Sequence, residues 1–353
     1  MQNSTTQWTF EQDLEFILSE TESIFKSFKG GHIFLTGGTG FIGCWLLESL
    51  RYANQRLNLD IKATILTRNI AAFSQKAPHL ATDTNFKFIA GDVCDFEYPV
   101  EQFSHFIHAA TDASAQLNED NPIQMFNTVV EGTRHILNFA AENKPEKCLF
   151  LSSGAIYGQQ PWELEKVPEN WLGAPSCLEA KAAYAEAKRS AEMLCAIYAK
   201  QKSLPIAIAR IFAVLGPYLP LDTHFAVGNF IRDAIQDKSI KVQGNGLPLR
   251  SYLYASDLTV WLWHLLVRGR SGAAYNVGSD ESVSIKQLAE KSAVLLAKGE
   301  YQILGADDGG WNLGRYIPDT QLINQELSLY RTVSLDDAIT RTAIWNGWTG
   351  INK

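Results

Sequence analysis

The sequence predicts an α/β protein: a doubly wound parallel sheet followed by a smaller mixed α/β portion. Three observations point there. Short apolar, β-branched runs alternate with helical patterns from residue 32 to about residue 212, the mark of βαβ units. The first of these runs ends in a glycine-rich turn that opens a helix. Beyond residue 213 the rhythm loosens, and Pro217, Pro220, Gly244, Gly246 and Pro248 punctuate shorter elements.

Residues 9–29 read as a leading helix, because Phe10, Leu14, Ile17, Leu18, Ile24, Phe25 and Phe28 recur near helical spacing among acidic residues. This sets residues 1–31 apart as an extension expected to pack outside the next domain. Six strands follow: HIFLTG (32–37), IKATILT (61–67), FKFIAG (86–91), HFIHAA (105–110), KCLFLSS (147–153) and LPIAIARIF (204–212). Between them, Phe41–Tyr52, Pro122–Asn143 and Ala182–Gln201 have helical patterns, with Pro122 suited to a first turn. These elements assign a dinucleotide-sized domain to 32–212. Helices at 225–237, 256–268, 284–297 and 334–344 belong to a second part, 213–353. No clean linker separates the two, so chain crossings and a shared interface are expected.

Composition narrows the function classes. A chain of 353 residues suggests roughly two domains at ~150 residues each. With 46% hydrophobic and 20% charged residues it has ample material for a core, which excludes a disordered chain. A net charge of −7 gives no basic footprint for nucleic acid. No apolar run approaches the ~18 residues of a membrane span; the longest, about Val260–Val267, is interrupted by His264. The polar, acidic N-terminus lacks a secretory leader pattern. Cys44, Cys94, Cys148, Cys177 and Cys195 lie far apart with no C-x-x-C pair, so neither a metal site nor a disulfide framework is indicated, and thiols in a reducing cytoplasm are expected.

Thr36–Gly43 reads TGGTGFIG. Gly37 and Gly40 sit where a strand turns into a helix. A phosphate reaches the backbone there only if no Cβ intervenes, and the helix N-terminus supplies N–H donors. Gly43 lets the helix pack close on the strand. Tyr184 and Lys188 stand four apart in AAYAEAKRSAE, on one face of a strong helix former. A free tyrosine has a pKa of ~10 and is a poor base at neutral pH; a neighbouring ammonium is expected to lower it.

The G-x-x-G-x-x-G spacing with the downstream Tyr/Lys pair resembles the short-chain dehydrogenase/reductase superfamily. TGGTGFIG is similar to its extended branch, the NAD(P)-dependent nucleotide-sugar epimerases and dehydratases. The resemblance runs over nearly the whole chain from residue 32 and implies a Rossmann-type sheet. It places Gly37, Thr39, Gly40, Phe41, Ile42 and Gly43 against the dinucleotide, with Asp92 and Val93 near the adenine and Ala109, Ala110 and Thr111 of HAAT beside the cofactor. At the second strand's end, where an acid suits NAD and an arginine accommodates the 2′-phosphate of NADP, stands Arg68, which tilts the choice toward NADP. LSSGAIYG resembles the strand end that bears the family's serine or threonine. Counting back four from Tyr157 gives Ser153, with Ser152 as the alternative. Ser153, Tyr184 and Lys188 are thus the implied catalytic set. Ser153 would polarise the reacting oxygen, Tyr184 would act as acid or base, and Lys188 would tune Tyr184 and fix the cofactor.

On the substrate side, GNGLPLRSYLYASDL resembles a segment whose arginine binds nucleotide phosphates, which maps to Arg250. RYIPD offers Arg315 as a second contact. AYNVGS (274–279) resembles a signature that is mainly structural. Two departures matter. Gly154 and Ala155 stand where 4,6-dehydratases carry Asp then Glu, and where related decarboxylases keep a glutamate at the second position. Ala213 replaces an asparagine near the pyrophosphate, a role that passes to Asn229. The expected function is therefore a C4 epimerase or 4-ketoreductase of a nucleotide-diphosphate sugar in polysaccharide or deoxysugar synthesis. Dehydration or decarboxylation, reduction of a non-nucleotide ketone, and non-catalytic dinucleotide binding are the alternatives. A homodimer through helices at about 121–142 and 182–201 is implied by the family. The nucleotide and sugar are expected to be read by loops around 217–250 and 305–318.

Overall fold

A computed structural model of the chain describes residues 8–111, 115–222, 225–296, 299–306 and 314–350. The start of the N-terminal extension, residues 223–224 and 307–313 of the expected substrate loops, and the last residue of the expected helix 284–297 lie outside the described residues.

Seven parallel strands form one sheet. The six expected ones are β1 (His32–Thr36), β2 (Lys62–Thr67), β3 (Phe86–Ala90), β4 (His105–His108), β5 (Lys147–Ser153) and β6 (Ile206–Ile211). The seventh, Ala274–Val277, returns from beyond residue 213 to pair with β6, outside the strand–helix rhythm that marks the other six. The spatial order is Ala274–Val277, β6, β5, β4, β1, β2, β3. The order reverses between β1 and β4, which opens a crevice at the carboxyl ends of those strands.

Both faces of the sheet are buried, which is why its strands read as nearly continuous apolar runs. In β1, Ile33 and Leu35 join one core with α1 (Phe10–Ser27), α2 (Phe41–Leu57) and the helix Ala255–Arg268. Phe34, pointing the other way, joins the opposite core with the helices Pro122–Asn143 and Ala183–Lys202. Helix α2 runs past the expected end at Tyr52 and stops where Asn58 turns left-handed at φ 54°.

A capping box of Thr9 and Gln12 starts α1. Its rings pack on the flanking helices, Phe10 on Trp45 at 5.0 Å and Phe25 on Trp263 at 4.9 Å. One acid of this helix is not on the solvent side: Asp13 is buried, accepting from the Tyr254 hydroxyl at 2.6 Å and from Arg341 at 2.6 Å. Burial raises its pKa, and these two partners pull it back.

Past β6 the chain builds small sheets. In one, Leu249–Arg250 lies between Val283–Ser284, antiparallel, and Arg315–Tyr316, parallel. A bridge from Gln160 to Arg315 ties this sheet to the loop after β5.

Candidate active site

The turn after β1 is closed so tightly that its glycines are required. Gly37 has φ 72°, and a Cβ there would lie 2.5 Å from the carbonyl carbon of Ala109. A Cβ on Gly43 would lie 2.3 Å from the carbonyl oxygen of Gly37. Gly40 is the N-cap of α2, so Phe41 and Ile42 open the helix with first-turn N–H groups that have no intrahelical partner. That makes a cradle for a diphosphate. Thr39 links the turn to its surroundings: its hydroxyl lies 3.4 Å from that of Thr67, and its carbonyl accepts from Lys76 at 3.0 Å. Arg68 follows directly, exposed, at the end of β2.

The neighbouring strand ends complete this side. Asp92 caps its own turn, with its carboxylate accepting from Cys94 N–H at 2.9 Å, and the next residue, Val93, is buried. His108 is a residue the sequence reading passed over. Its imidazole bridges the Thr36 hydroxyl at 2.7 Å and the Thr133 hydroxyl at 3.1 Å. Burial, with Lys188 nearby, lowers its pKa to about 3, so it is neutral. Thr36 in turn accepts from Ala110 N–H at 3.1 Å, which fixes the Ala109–Ala110–Thr111 strand end against the glycine turn.

Ser153, Tyr184 and Lys188 come together at the end of β5. Ser153 caps the short 3-10 turn Gly154–Tyr157, accepting from Ala155 N–H at 3.2 Å. Burial raises the pKa of Tyr184, and a hydrogen bond with Ser153 works against that rise. Lys188, 2% exposed, donates to the Leu151 carbonyl at 2.7 Å and to the Thr111 hydroxyl at 2.6 Å, with its ammonium 4.9 Å from the centre of the Phe150 ring. Burial lowers its pKa to about 7. Tyr184 therefore shifts opposite to the direction expected from a neighbouring ammonium. Desolvation dominates, and Lys188 is aimed at Thr111 and Leu151. Ser152, the alternative serine, is occupied by Glu192 at 2.5 Å.

A second phenol reaches the same serine. Tyr316 is raised by burial and lowered by a hydrogen bond with Ser153; its ring lies 4.6 Å from that of Phe212, and its hydroxyl lies 3.5 Å from the Ile211 carbonyl. Ile211 is the residue paired with Ser153 across β5 and β6. The only sequence signal for Tyr316 was its place next to Arg315 in RYIPD.

Pairing in the small sheet separates the two expected phosphate ligands. Tyr316 is in register with Arg250, so those two share a face, and the Arg250 charge acts on Tyr316. Arg250 donates to the carbonyls of Leu249 at 2.8 Å and Gly314 at 3.0 Å. Arg315, one residue earlier, faces the other way and lies 3.9 Å from the centre of the Trp162 ring. Asn229, on the helix Ala226–Ile235, accepts from Arg232 at 2.9 Å.

Gly154 is held against the Phe212 ring, where a Cβ would come within 2.7 Å. A side chain at this position, which the resemblance gives as acidic in dehydratases, would have to displace that ring. Among the described residues, no group of three or more His, Cys, Asp and Glu side chains could hold a metal ion, and no helix is long and apolar enough to cross a membrane.

Comparison with known proteins agrees on a family. The model of the NAD dependent epimerase/dehydratase family matches residues 33–278. UDP-glucuronic acid decarboxylase 1 of Xenopus tropicalis is 27% identical over 310 residues, which is 88% of this chain and 70% of the relative. The dTDP-D-glucose 4,6-dehydratase of Homo sapiens is 28% identical over 273 residues, 75% of this chain and 73% of the relative. The structure of UDP-glucose 4-epimerase from Thermotoga maritima with UDP-glucose aligns with a TM-score of 0.77 at 21% identity, covering 89% of this chain and 98% of that one. That last likeness is one of fold.

Proposed function

The chain belongs to the NAD dependent epimerase/dehydratase family, and from that premise we propose that it acts at C4 of a nucleotide-diphosphate sugar, as a 4-epimerase or a 4-ketoreductase. The observation that carries this reading is the end of β5. Ser153 and Tyr184 meet there, and the next two residues, Gly154 and Ala155, offer neither acid nor base, the first pressed on Phe212. Oxidation or reduction of a C4 oxygen needs only the proton that Tyr184 moves and the hydrogen bond Ser153 provides. Bound NAD(P) supplies the hydride chemistry. Lys188 holds the cofactor-facing strand ends through Thr111 and Leu151.

The relatives named above, a decarboxylase and a dehydratase, favour the second reading: decarboxylation or 4,6-dehydration. Expelling water across C5 and C6 requires a further acid and base, and Gly154 and Ala155 weigh against it. Arg250 supports a nucleotide-linked substrate, because a guanidinium fork matches two phosphate oxygens. Arg68 supports NADP over NAD. The exposed Met193 and Ile197 on the helix Ala183–Lys202 support a homodimer through that helix and Pro122–Asn143.

Thermal-shift screening of UDP-, CDP- and dTDP-sugars with NAD and with NADP tests the reading, since a ligand raises the melting point by mass action. Product analysis follows on the pair that binds. A C4 epimer without net redox change, or a C4 alcohol formed with consumption of NADPH, supports it. A product that has lost water or carbon dioxide overturns it.

A further inference from the structure

A half-buried ion pair lies two helical turns past Tyr184 and has no part in the proposed chemistry. The Glu192 carboxylate accepts from the Ser152 hydroxyl at 2.5 Å and from Arg210 in a fork, Nη2 to Oε2 at 2.8 Å and Nε to Oε1 at 3.1 Å. The two side chains are only 11% and 14% exposed. Arg210 is the cross-strand partner of Ser152. Its other nitrogen, Nη1, donates to the Tyr157 hydroxyl at 2.7 Å and to the Glu169 carbonyl at 2.9 Å. Tyr157 donates on to Asn276 at 2.8 Å, in the seventh strand, and the Asn276 amide donates to the carbonyls of Val167 and Asp319 at 2.8 and 3.0 Å. Asp319 lies just past Tyr316.

Two successive serines therefore grip the same helix: Ser153 meets Tyr184, and Ser152 meets Glu192 two turns on. Two such contacts fix both the position and the rotation of a helix. We propose that Glu192 is the positioning residue of the hydride site: clamped by Ser152 and Arg210, it holds the helix Ala183–Lys202 against the ends of β5 and β6, and it supplies the counter-charge for the Lys188 ammonium one turn away. This rests on the reading of Tyr184 and Lys188 as the working pair.

The surroundings of Lys188 make the counter-charge specific. From its own helix Cys195 and Glu192 act on it, with Tyr184 one turn earlier; β4 brings His108 and, past its end, the Thr111 hydroxyl, and β5 brings the Phe150 ring and the Leu151 carbonyl. Burial keeps His108 neutral, and burial raises the Cys195 thiol and the Tyr184 phenol. Glu192 is the carboxylate among them, and it works against the burial that lowers Lys188 to about 7.

The test is an NMR pH titration of protein labelled with ¹³C at lysine Cε, with Lys188 assigned through Lys188→Arg. In Glu192→Gln, still unfolding cooperatively, the Lys188 midpoint is expected to fall by about one pH unit, the scale of a lost neighbouring charge. NADPH affinity, followed by fluorescence, should weaken at neutral pH and recover on acidification, which a merely structural role does not produce. In Arg210→Lys the midpoint should rise, because one ammonium cannot occupy both carboxylate oxygens. An unchanged midpoint in folded Glu192→Gln overturns the proposal. If that variant does not fold, an unchanged or lowered midpoint in Arg210→Lys overturns it. Tyr184→Phe separates the two ideas: full activity there sinks the catalytic reading, whereas an inactive Tyr184→Phe beside an unmoved Lys188 sinks only the role of Glu192.

Discussion

The turn after β1 and the small sheet that carries Arg250 and Arg315 have related tasks, since each is read as meeting a diphosphate. They are built by opposite means. In the turn the proposed contact surface is backbone, and the side chains matter by being absent: a Cβ at Gly37 or Gly43 would lie within 2.5 Å of main-chain atoms. In the small sheet the proposed contacts are side chains, and strand alternation decides which of them share a face. Arg250 shares a face with Tyr316, while Arg315 turns away and stacks on Trp162. A function written in backbone leaves a spacing in the sequence. One written in side-chain direction does not.

The largest expected effect lies where the two regions meet. Tyr184→Phe should reduce turnover by about a thousandfold, within the range for a lost general acid or base, while dinucleotide affinity holds. Steady-state rates together with cofactor titration check this; a loss of affinity instead of rate would assign Tyr184 to the binding side.

The turn is tested by Gly43→Ala. The added methyl has nowhere to go, so the fold should lose about 3 kcal/mol, at the upper end for overpacking, and dinucleotide binding with it. Urea unfolding with cofactor titration measures both. A stable variant that still binds would show that the turn yields.

Arg250→Ala against Arg315→Ala tests the small sheet. Losing a charged hydrogen bond costs about 2 kcal/mol, so affinity for UDP, CDP or dTDP should fall roughly thirtyfold in the first. In Arg315→Ala the fall should stay within about threefold. Calorimetry of the two variants side by side decides it, and equal losses would erase the distinction drawn from strand pairing.

The smallest expected change in stability is acid weakening at His108. Burial holds this imidazole neutral, its pKa lowered to about 3, below the ordinary value of ~6.5 that it regains on unfolding. The unfolded chain then binds more protons, so stability falls as pH drops from about 6.5 toward 4, by about 2 kcal/mol at pH 5. Urea midpoints at pH 7 and pH 5 should show this, and His108→Gln should lessen it. An unchanged pH dependence in that variant would mean that the imidazole bridging Thr36 and Thr133 takes no part.

The sequence by itself determined the alternation of strands and helices, the glycine turn and the Tyr184–Lys188 face. Each is a local pattern: a period, a spacing, or a missing Cβ. Ser153 came from the resemblance of LSSGAIYG to the family's strand end. The tertiary structure alone decided what depends on distant segments meeting. The seventh strand joined the sheet through pairing with β6. Tyr316 reached Ser153 from a segment that carries no pattern of its own. Asp13 went inside because Tyr254 and Arg341 were there to receive it. The direction of the Tyr184 shift likewise belongs to the fold: spacing says that an ammonium is near, but only packing says how much water has been removed and where the ammonium is aimed.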